Sequence, residues 1–369
     1  MITYLYVNNY KSLVNFRIEF DRVNLVLGKN GTGKSSVFHI LLQLRGFING
    51  FIRTSDVFSP TSLTRWMKSM VQVFEFGMEI GEKRYIYHLE IEHEEKMSGC
   101  HVLAESVKCN DKIIFERNDT YTNWYNNEYT VGQNLRVDPT VSGLGIVFDV
   151  QTYSVLFQFK KSFSEILFFS PNPKIMSNRY ERDTAYPNVE LSDIVSVYAT
   201  LQQTQMKNAL ELQNCMKQIN PAFEEANMNF DMYGKTLEMN FRYLETSVSV
   251  NFSEISEGER MVFSLYLVLI AYIKQGYSVF IDEPDNFVSL HEIQPWCRGV
   301  EEACLSDGQC VIISHNAEVI DYFAGDCGIW MNRLRSGESV VENNPFAIPK
   351  YGEFLKYSEL IAGGYNEVQ

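Results

Sequence analysis

Three short stretches of this 369-residue sequence combine residue types and spacings able to do chemistry. The first, Gly28-Lys29-Asn30-Gly31-Thr32-Gly33-Lys34-Ser35, fits G-x-x-x-x-G-K-[ST] and suits a polyphosphate. Its glycines let the backbone turn tightly enough for consecutive N–H groups, from Asn30, Gly31, Thr32 and Gly33 on to Lys34, Ser35 and Ser36, to converge on phosphate oxygens. A helix that follows adds the positive end of its dipole. Lys34 would reach the β- and γ-phosphates of a nucleoside triphosphate, and Ser35 would hold Mg²⁺.

The second stretch, Val279-Phe280-Ile281-Asp282-Glu283, is an apolar strand that ends in adjacent carboxylates. In a parallel sheet those carboxylates stand at the carboxyl edge, where α/β sheets bind their ligands. Asp282 is then placed to orient Mg²⁺ or its waters, and Glu283 to polarise an attacking water as general base. The third, Gln309 to Ile313 followed by Ser314-His315, is another apolar strand, ending in a histidine. A neutral His315 at the same edge can hydrogen-bond a γ-phosphate or hold the attacking water. The other histidines, His39, His88, His93, His101 and His291, have no comparable context and read as structural.

These groups need strands and helices to position them. Leu5, Val7, Phe16, Ile18, Phe20, Val23, Leu25 and Leu27 alternate as strands leading into the glycine loop, and Val37 to Leu44 repeats at helical spacing after it. From Val71 to Arg117, period-two runs broken at Gly81-Glu82 and Asn110-Asp111 describe an antiparallel β insertion. The stretch Asn118 to Gly143, rich in Asn, Tyr, Asp and Gly, reads as a loop with no legible role. Leu191 to Ile219 has helical period, as one helix or a broken pair, closed by Pro221. Leu237 to Phe252 alternates again before Ser256-Glu257-Gly258-Glu259-Arg260, and Met261 to Ile273 then forms an apolar helix too short to span a bilayer.

Composition narrows the partners. Hydrophobic residues at 45% and charged ones at 21% are ordinary for a globular chain with a sizeable core. A net charge of −14 disfavours whole-surface attachment to nucleic acid or an anionic membrane, while leaving room for a local basic groove. The seven cysteines are odd in number and form no C-x-x-C pair, as expected for reduced thiols in the cytoplasm and not for a metal cluster. Met1-Ile2-Thr3-Tyr4-Leu5 reads as a first strand and not as a signal peptide.

Taken in order, Gly28 to Ser35, Ser256 to Arg260, Asp282-Glu283 and Ser314-His315 resemble the phosphate loop, signature, Walker B strand and switch histidine of the ABC-class ATPases. Within that class the sequence resembles the RecF, SMC and overcoming-lysogenisation-defect (OLD) group. Asn9-Tyr10-Lys11-Ser12 is similar to that group's N-F-K-S-F motif, and Asp282-Glu283-Pro284-Asp285-Asn286 to its D-E-P-E-N. The compact AAA-type ATP-binding proteins of the OLD-like branch, often encoded beside an effector in bacterial antiphage loci, are similar over 1–50 and 250–320.

The resemblance implies an α/β fold, an ABC-type P-loop NTPase head with an antiparallel β lobe and a helical lid insertion. It divides the chain into an N-terminal ATPase lobe over 1–159, with the β insertion near 71–117, a lid over 160–235, and a C-terminal ATPase lobe over 236–369. It implies ATP and Mg²⁺ as cofactors, with Lys11 and Ser12 among the nucleotide-binding residues. Ser256 and Gly258 would contact the γ-phosphate held by another copy, so that ATP closes a homodimer or higher homo-oligomer. The signature departs from the L-S-G-G-Q of transporters, and Phe287-Val288-Ser289 lacks the aspartate of the dimer-facing loop. The glutamine loop can fall at Gln72 or at Gln158.

The function expected is ATP binding and hydrolysis by a nucleotide-gated dimeric sensor or scaffold that controls a separate nuclease or toxin effector in antiphage defence. The ~50 residues after His315 leave no room for a nuclease domain. The alternative is a RecF-like DNA repair ATPase that binds DNA in its ATP-bound dimer. Its basic face would draw on Lys160, Lys161, Lys174, Arg179, Arg182, Lys207 and Lys217. No membrane partner is expected.

Overall fold

A computed structural model of the chain describes residues 1–94, 99–146, 149–231, 234–342 and 356–363. Strands β1 (Ile2–Asn8), β2 (Phe16–Glu19) and β3 (Val23–Leu27) precede the glycine loop, and helix α1 (Lys34–Ile48) follows it. A short α2 (Thr54–Val57) leads to β4 (Val71–Ile80), β5 (Lys83–His93), β6 (Cys100–Cys109), β7 (Lys112–Arg117), β8 (Thr122–Tyr125) and β9 (Val131–Leu135). Then come α3 (Ser154–Ser164), β10 (Leu167–Phe169), α4 (Ile194–Thr204), α5 (Met206–Ile219), β11 (Phe223–Asp231), β12 (Gly234–Tyr243) and β13 (Thr246–Asn251). The remainder is α6 (Glu257–Ala271), β14 (Ser278–Asp282), α7 (Leu290–Ser306), β15 (Gln309–Ile313), α8 (Ala317–Cys327), β16 (Gly328–Arg333), β17 (Ser339–Glu342) and α9 (Tyr357–Ala362).

The chain divides into two compact units. The first holds Met1–Asp21, Leu27–Ile166 and, from Ile329, the β16–β17 hairpin. Among its described residues, eight strands form one antiparallel sheet in the order β2-β1-β4-β5-β6-β7-β8-β9. Alternation sets its inner face: Phe74 and Phe76 of β4 and Tyr85, Tyr87 and Leu89 of β5 are fully buried or nearly so. Helix α3 lays Phe159 and Phe163 on that face, with the Phe76 and Phe163 rings stacked at 4.3 Å. Helix α1 buries Val37, Ile40, Leu41, Leu44, Phe47 and Ile48. Phe47 meets Phe58 edge-on at 5.7 Å, and Phe58 meets Phe74 at 5.1 Å. Each such buried ring is worth about 1.5–3 kcal/mol against exposure, so this cluster fixes the direction in which α1 leaves the glycine loop.

The stretch Asn118 to Gly143 is not all loop. Strands β8 and β9 extend the sheet through it, with Trp124 buried opposite Phe115. Two buried charges on neighbouring strands explain why so polar a stretch is fixed. The Glu105 carboxylate accepts from the hydroxyls of Tyr87 and Ser142 and from the Gly143 N–H, while Arg117 donates to the carbonyls of Val141 (2.6 Å) and Asp138 (2.9 Å). Burial raises the Glu105 pKa against the lowering pull of Ser142 and Arg117.

The second unit holds Arg22–Val26, Leu167–Gly328 and helix α9. Four parallel strands run in the order β10-β14-β15-β3, apolar on both faces as a covered sheet requires. Residues 160–235 therefore contribute a core strand, β10, and β11 as well as helices α4 and α5. The helical period of Leu191 to Ile219 resolves into α4 and α5, broken at Gln205 (φ −142°). Strands β11, β12 and β13 form a separate antiparallel sheet. Helix α6 is buried all round from Met261 to Ala271, and the Trp296 indole of α7 donates to the Leu265 carbonyl at 3.1 Å. That burial accounts for its apolar composition. No helix among the described residues is long and apolar enough to cross a membrane.

Candidate functional site

In the first unit the glycine loop takes the conformation its composition demands. Gly33 closes the N-terminus of α1 at φ 98°, and a Cβ there would lie 3.1 Å from Ser339 Oγ and 3.3 Å from Ser12 Oγ. A Cβ on Gly28 would fall 2.3 Å from the Met331 carbonyl oxygen. Helix α1 has no side-chain cap and no acidic residue in its first turn, so its leading N–H groups face no carboxylate of their own helix. Lys34 is buried, and its ammonium donates to the carbonyls of Gly28 (2.6 Å) and Lys29 (3.1 Å). Thr32 Oγ1 donates to Lys29 O at 2.9 Å, while Asn30, Gly31 and Ser35 are exposed and Ser36 is half-buried.

Lys11 and Ser12 join this corner from the turn after β1. Lys11 is exposed at φ 53°, its N–H donating to Ser62 O at 2.7 Å. Ser12 is buried; its carbonyl accepts from the Ser339 N–H and its hydroxyl from Ser339 Oγ, both at 2.8 Å. Arg333 Nη1 donates to Gly31 O at 3.4 Å. Ser339 and Arg333, on the β16–β17 hairpin, escape sequence reading because they lie some three hundred residues from the loop, by the order of separation at which only folding reveals a contact.

In the second unit the apolar strands end together. Asp282 is level with Ile313 of β15, and Ile313 with Val26 of β3, so the carboxyl ends of β14, β15 and β3 lie on one sheet edge, and β3 continues in sequence toward Gly28. Asp282 is half-buried; Glu283 is exposed in the left-handed region (φ 52°), its N–H donating to Ile313 O at 2.8 Å. Asn286 Nδ2 donates to the Glu283 carboxylate at 2.8 Å and so orients it. His315 is exposed at the end of β15, beside a buried Ser314 whose hydroxyl accepts the Asn316 N–H at 3.0 Å. Asp285 is the residue of this corner that residue-by-residue reading passed over. It is 8% exposed, burial raises its pKa, Ser314 hydrogen-bonds its carboxyl group, and its Oδ1 has no partner among the described residues.

Ser256 and Gly258 open helix α6. Ser256 forms a capping box with Glu259: its hydroxyl accepts the Glu259 N–H (3.1 Å) and its own N–H donates to Glu259 Oε2 (3.0 Å), to which the hydroxyl also donates (2.8 Å). Gly258 permits a close approach of the loop after β14, since a Cβ there would lie 2.7 Å from the Phe287 carbonyl oxygen. Both glutamine candidates sit in regular elements. Gln72 is fully buried in β4, donating to Asn9 O (2.9 Å) and Ser62 Oγ (3.2 Å) and bonded to His93; Gln158, in α3, bonds Lys83 and Tyr85. Of the candidate basic face, Lys160 donates to Leu144 O at 2.8 Å, Lys161 is 3.9 Å from Glu165, and Lys174 lies 5.6 Å from the Phe287 ring centroid.

The sequence matches no family model and no curated protein. Solved structures are similar in fold. A crystal structure of an Smc head bound to the C-winged helix domain of ScpA is 13% identical, with a TM-score of 0.58, over 92% of this chain and 97% of that one. An Smc head domain with an extended coiled coil, bound to the C-terminal domain of ScpA and derived from Pyrococcus furiosus, is 12% identical, with a TM-score of 0.53, over 92% and 95%. The chain therefore has the α/β fold of an Smc head domain.

Proposed function

We propose that this chain binds and hydrolyses ATP as an ABC-type ATPase, and that its nucleotide state gates a homodimer or higher homo-oligomer that holds or releases a separate effector protein in antiphage defence. The observation that carries the ATP reading is the loop itself: Gly28, where a Cβ would strike the Met331 carbonyl oxygen, glycines at positive φ, a buried Lys34 on the loop carbonyls, and an uncapped helix behind it. Those residues fit a triphosphate. Lys34 and the N–H groups from Asn30 to Ser36 would bind its phosphates, with Lys11 and Ser12 beside them. Mg²⁺, held through Ser35 and Asp282, would supply charge neutralisation at the phosphates when bound. Glu283, oriented by Asn286, would take the proton of the attacking water at its carboxylate, and His315 would hold that water or the γ-phosphate. Ser256 and Gly258 would serve the phosphate held by another copy.

The effector and the defence role rest on the resemblance to OLD-like proteins. A cytoplasmic setting agrees with seven free cysteines. The alternative is DNA binding by a RecF-like dimer; of its candidate basic residues, Lys160 is held by the Leu144 carbonyl, while Lys161 and Lys174 stay exposed. The test is plaque formation on hosts carrying the intact locus or the same locus with Lys34→Ala. Protection that disappears with the variant supports an ATP-dependent defence role, and equal protection rejects it.

A further inference from the structure

A cavity of about 430 Å³ lies within the second unit, away from the carboxylate edge. Tyr277, on its wall, immediately precedes β14, so the cavity stands at the amino edge of the parallel sheet, about 16 Å along that strand from Asp282. Helix α4 forms one side: Val197, Thr200, Leu201 and Thr204 recur at three- and four-residue spacing and so share a helix face. The segment around Tyr186 and the turn from Tyr272 to Tyr277 complete it. That turn is closed by the Tyr277 N–H on Tyr272 O (3.1 Å), with the two rings edge-on at 5.6 Å. Among the described residues, none on the wall carries a charge, and its hydroxyls are spent as donors. Thr184 Oγ1 donates to Arg182 O (3.1 Å), Thr200 Oγ1 to Ser196 O (2.9 Å), Thr204 Oγ1 to Thr200 O (2.8 Å) and the Tyr272 hydroxyl to Ala185 O (2.8 Å). A hydroxyl has one proton, so to a further partner each of these offers only a lone pair. Val197, Leu201 and the tyrosine rings set apolar surface beside those acceptors. Negative charge is close by: burial, then the neighbouring Tyr277 and Asp193, raise the Tyr272 pKa.

We infer that this cavity binds an organic cation, an ammonium or guanidinium head on an apolar stem. Such a head has donors and no acceptor, so lone pairs on the wall satisfy it. An alcohol or amide brings acceptors that these hydroxyls have no proton to meet, and an anion finds no donor in them. The methylenes of the stem lie on the apolar surface while the head keeps contact with water. Tyr186 (46% exposed) and Thr204 are exposed, and the cavity opens to solvent beside them. A free polyamine and a lysine side chain of a partner protein both carry this chemistry.

The test is NMR titration of the full chain, at physiological ionic strength, with n-butylammonium and with n-butanol, its uncharged counterpart. The amine should saturate a single site and bind about tenfold more tightly than the alcohol. Thr204→Val, at an exposed position that folding does not depend on, and Tyr272→Phe, which keeps the ring, should each weaken the amine by about tenfold. Equal binding of amine and alcohol overturns the inference, as does no saturable binding of the amine by the wild type. Wild-type affinity for the amine in both variants places the cation elsewhere on an acidic surface and overturns it too. Spermidine and a lysine tripeptide capped at both ends then identify the source. Tighter binding of spermidine supports a free polyamine, and tighter binding of the tripeptide supports a partner's lysine.

Discussion

The glycine loop and the carboxylate edge are built on opposite principles. At the loop, backbone does the positioning: Gly28 fits against the Met331 carbonyl with no space for a side chain, Gly33 turns the chain at φ 98°, and Lys34 is held by two carbonyls. At the carboxylate edge, side chains and strain do it. Glu283 occupies a left-handed conformation that costs about 1–3 kcal/mol, Asn286 orients it, and Asp285 is buried with an oxygen unpartnered among the described residues. A loop fixed by backbone suits a constant task such as holding phosphates. An edge fixed by charge and strain suits a step in which charge changes.

That contrast breaks most visibly in paired kinetics. Lys34→Ala should abolish measurable nucleotide binding, whereas Glu283→Gln should bind ATP as the wild type does and hydrolyse it about 10²–10⁴-fold more slowly. Equilibrium titration and single-turnover hydrolysis separate the two. A Glu283→Gln variant with wild-type turnover would move the general base elsewhere on the edge and leave the loop's role untouched.

Legibility followed the same divide. The glycine spacing and the apolar strands ending in Asp282-Glu283 and His315 were readable because each depends on neighbours in sequence: a φ that needs glycine, a covered strand that needs continuous apolar residues. What the sequence concealed depends on distant partners. Strands β8 and β9 are short and polar, and the charges that hold Asp138 to Gly143 behind them, Glu105 and Arg117, belong to other strands. Ser339 and Arg333 reach the glycine loop from some three hundred residues away in the chain. The glutamine candidates Gln72 and Gln158 likewise bond residues distant in sequence, Asn9 and Ser62 for the first and Lys83 and Tyr85 for the second.

A second test sharpens the electrostatic side. Burial raises the Asp285 pKa, so the native state holds that proton more tightly than the unfolded chain does. The associated stability is present below the ordinary aspartate value of 3.8 and is lost as pH rises through the raised one. Asp285→Asn removes the titration, so its stability relative to wild type should increase as pH climbs from about 4 towards neutrality. Urea denaturation midpoints at several pH values read this directly. A difference that stays constant with pH would mean that the Asp285 carboxyl titrates alike in both states and that the edge is not under electrostatic load there.

The smallest effect addresses Ser256, which has two claims on one proton. Its hydroxyl donates to Glu259 and closes the capping box of α6, while the dimer reading asks the same hydroxyl to donate to a phosphate held by another copy. The Glu259 carboxylate also stands at the positive end of α6, where that phosphate would arrive. Ser256→Ala should therefore cost about 1 kcal/mol of stability from the lost cap alone, measured by denaturation. Ser256→Asp keeps a capping oxygen and adds negative charge, so it should restore that stability and still prevent ATP-dependent dimerisation in a Glu283→Gln background, as read by light scattering. Dimerisation that survives Ser256→Asp would confine Ser256 to its cap, and the opening of α6 would then have to meet the phosphate held by another copy through Gly258 instead.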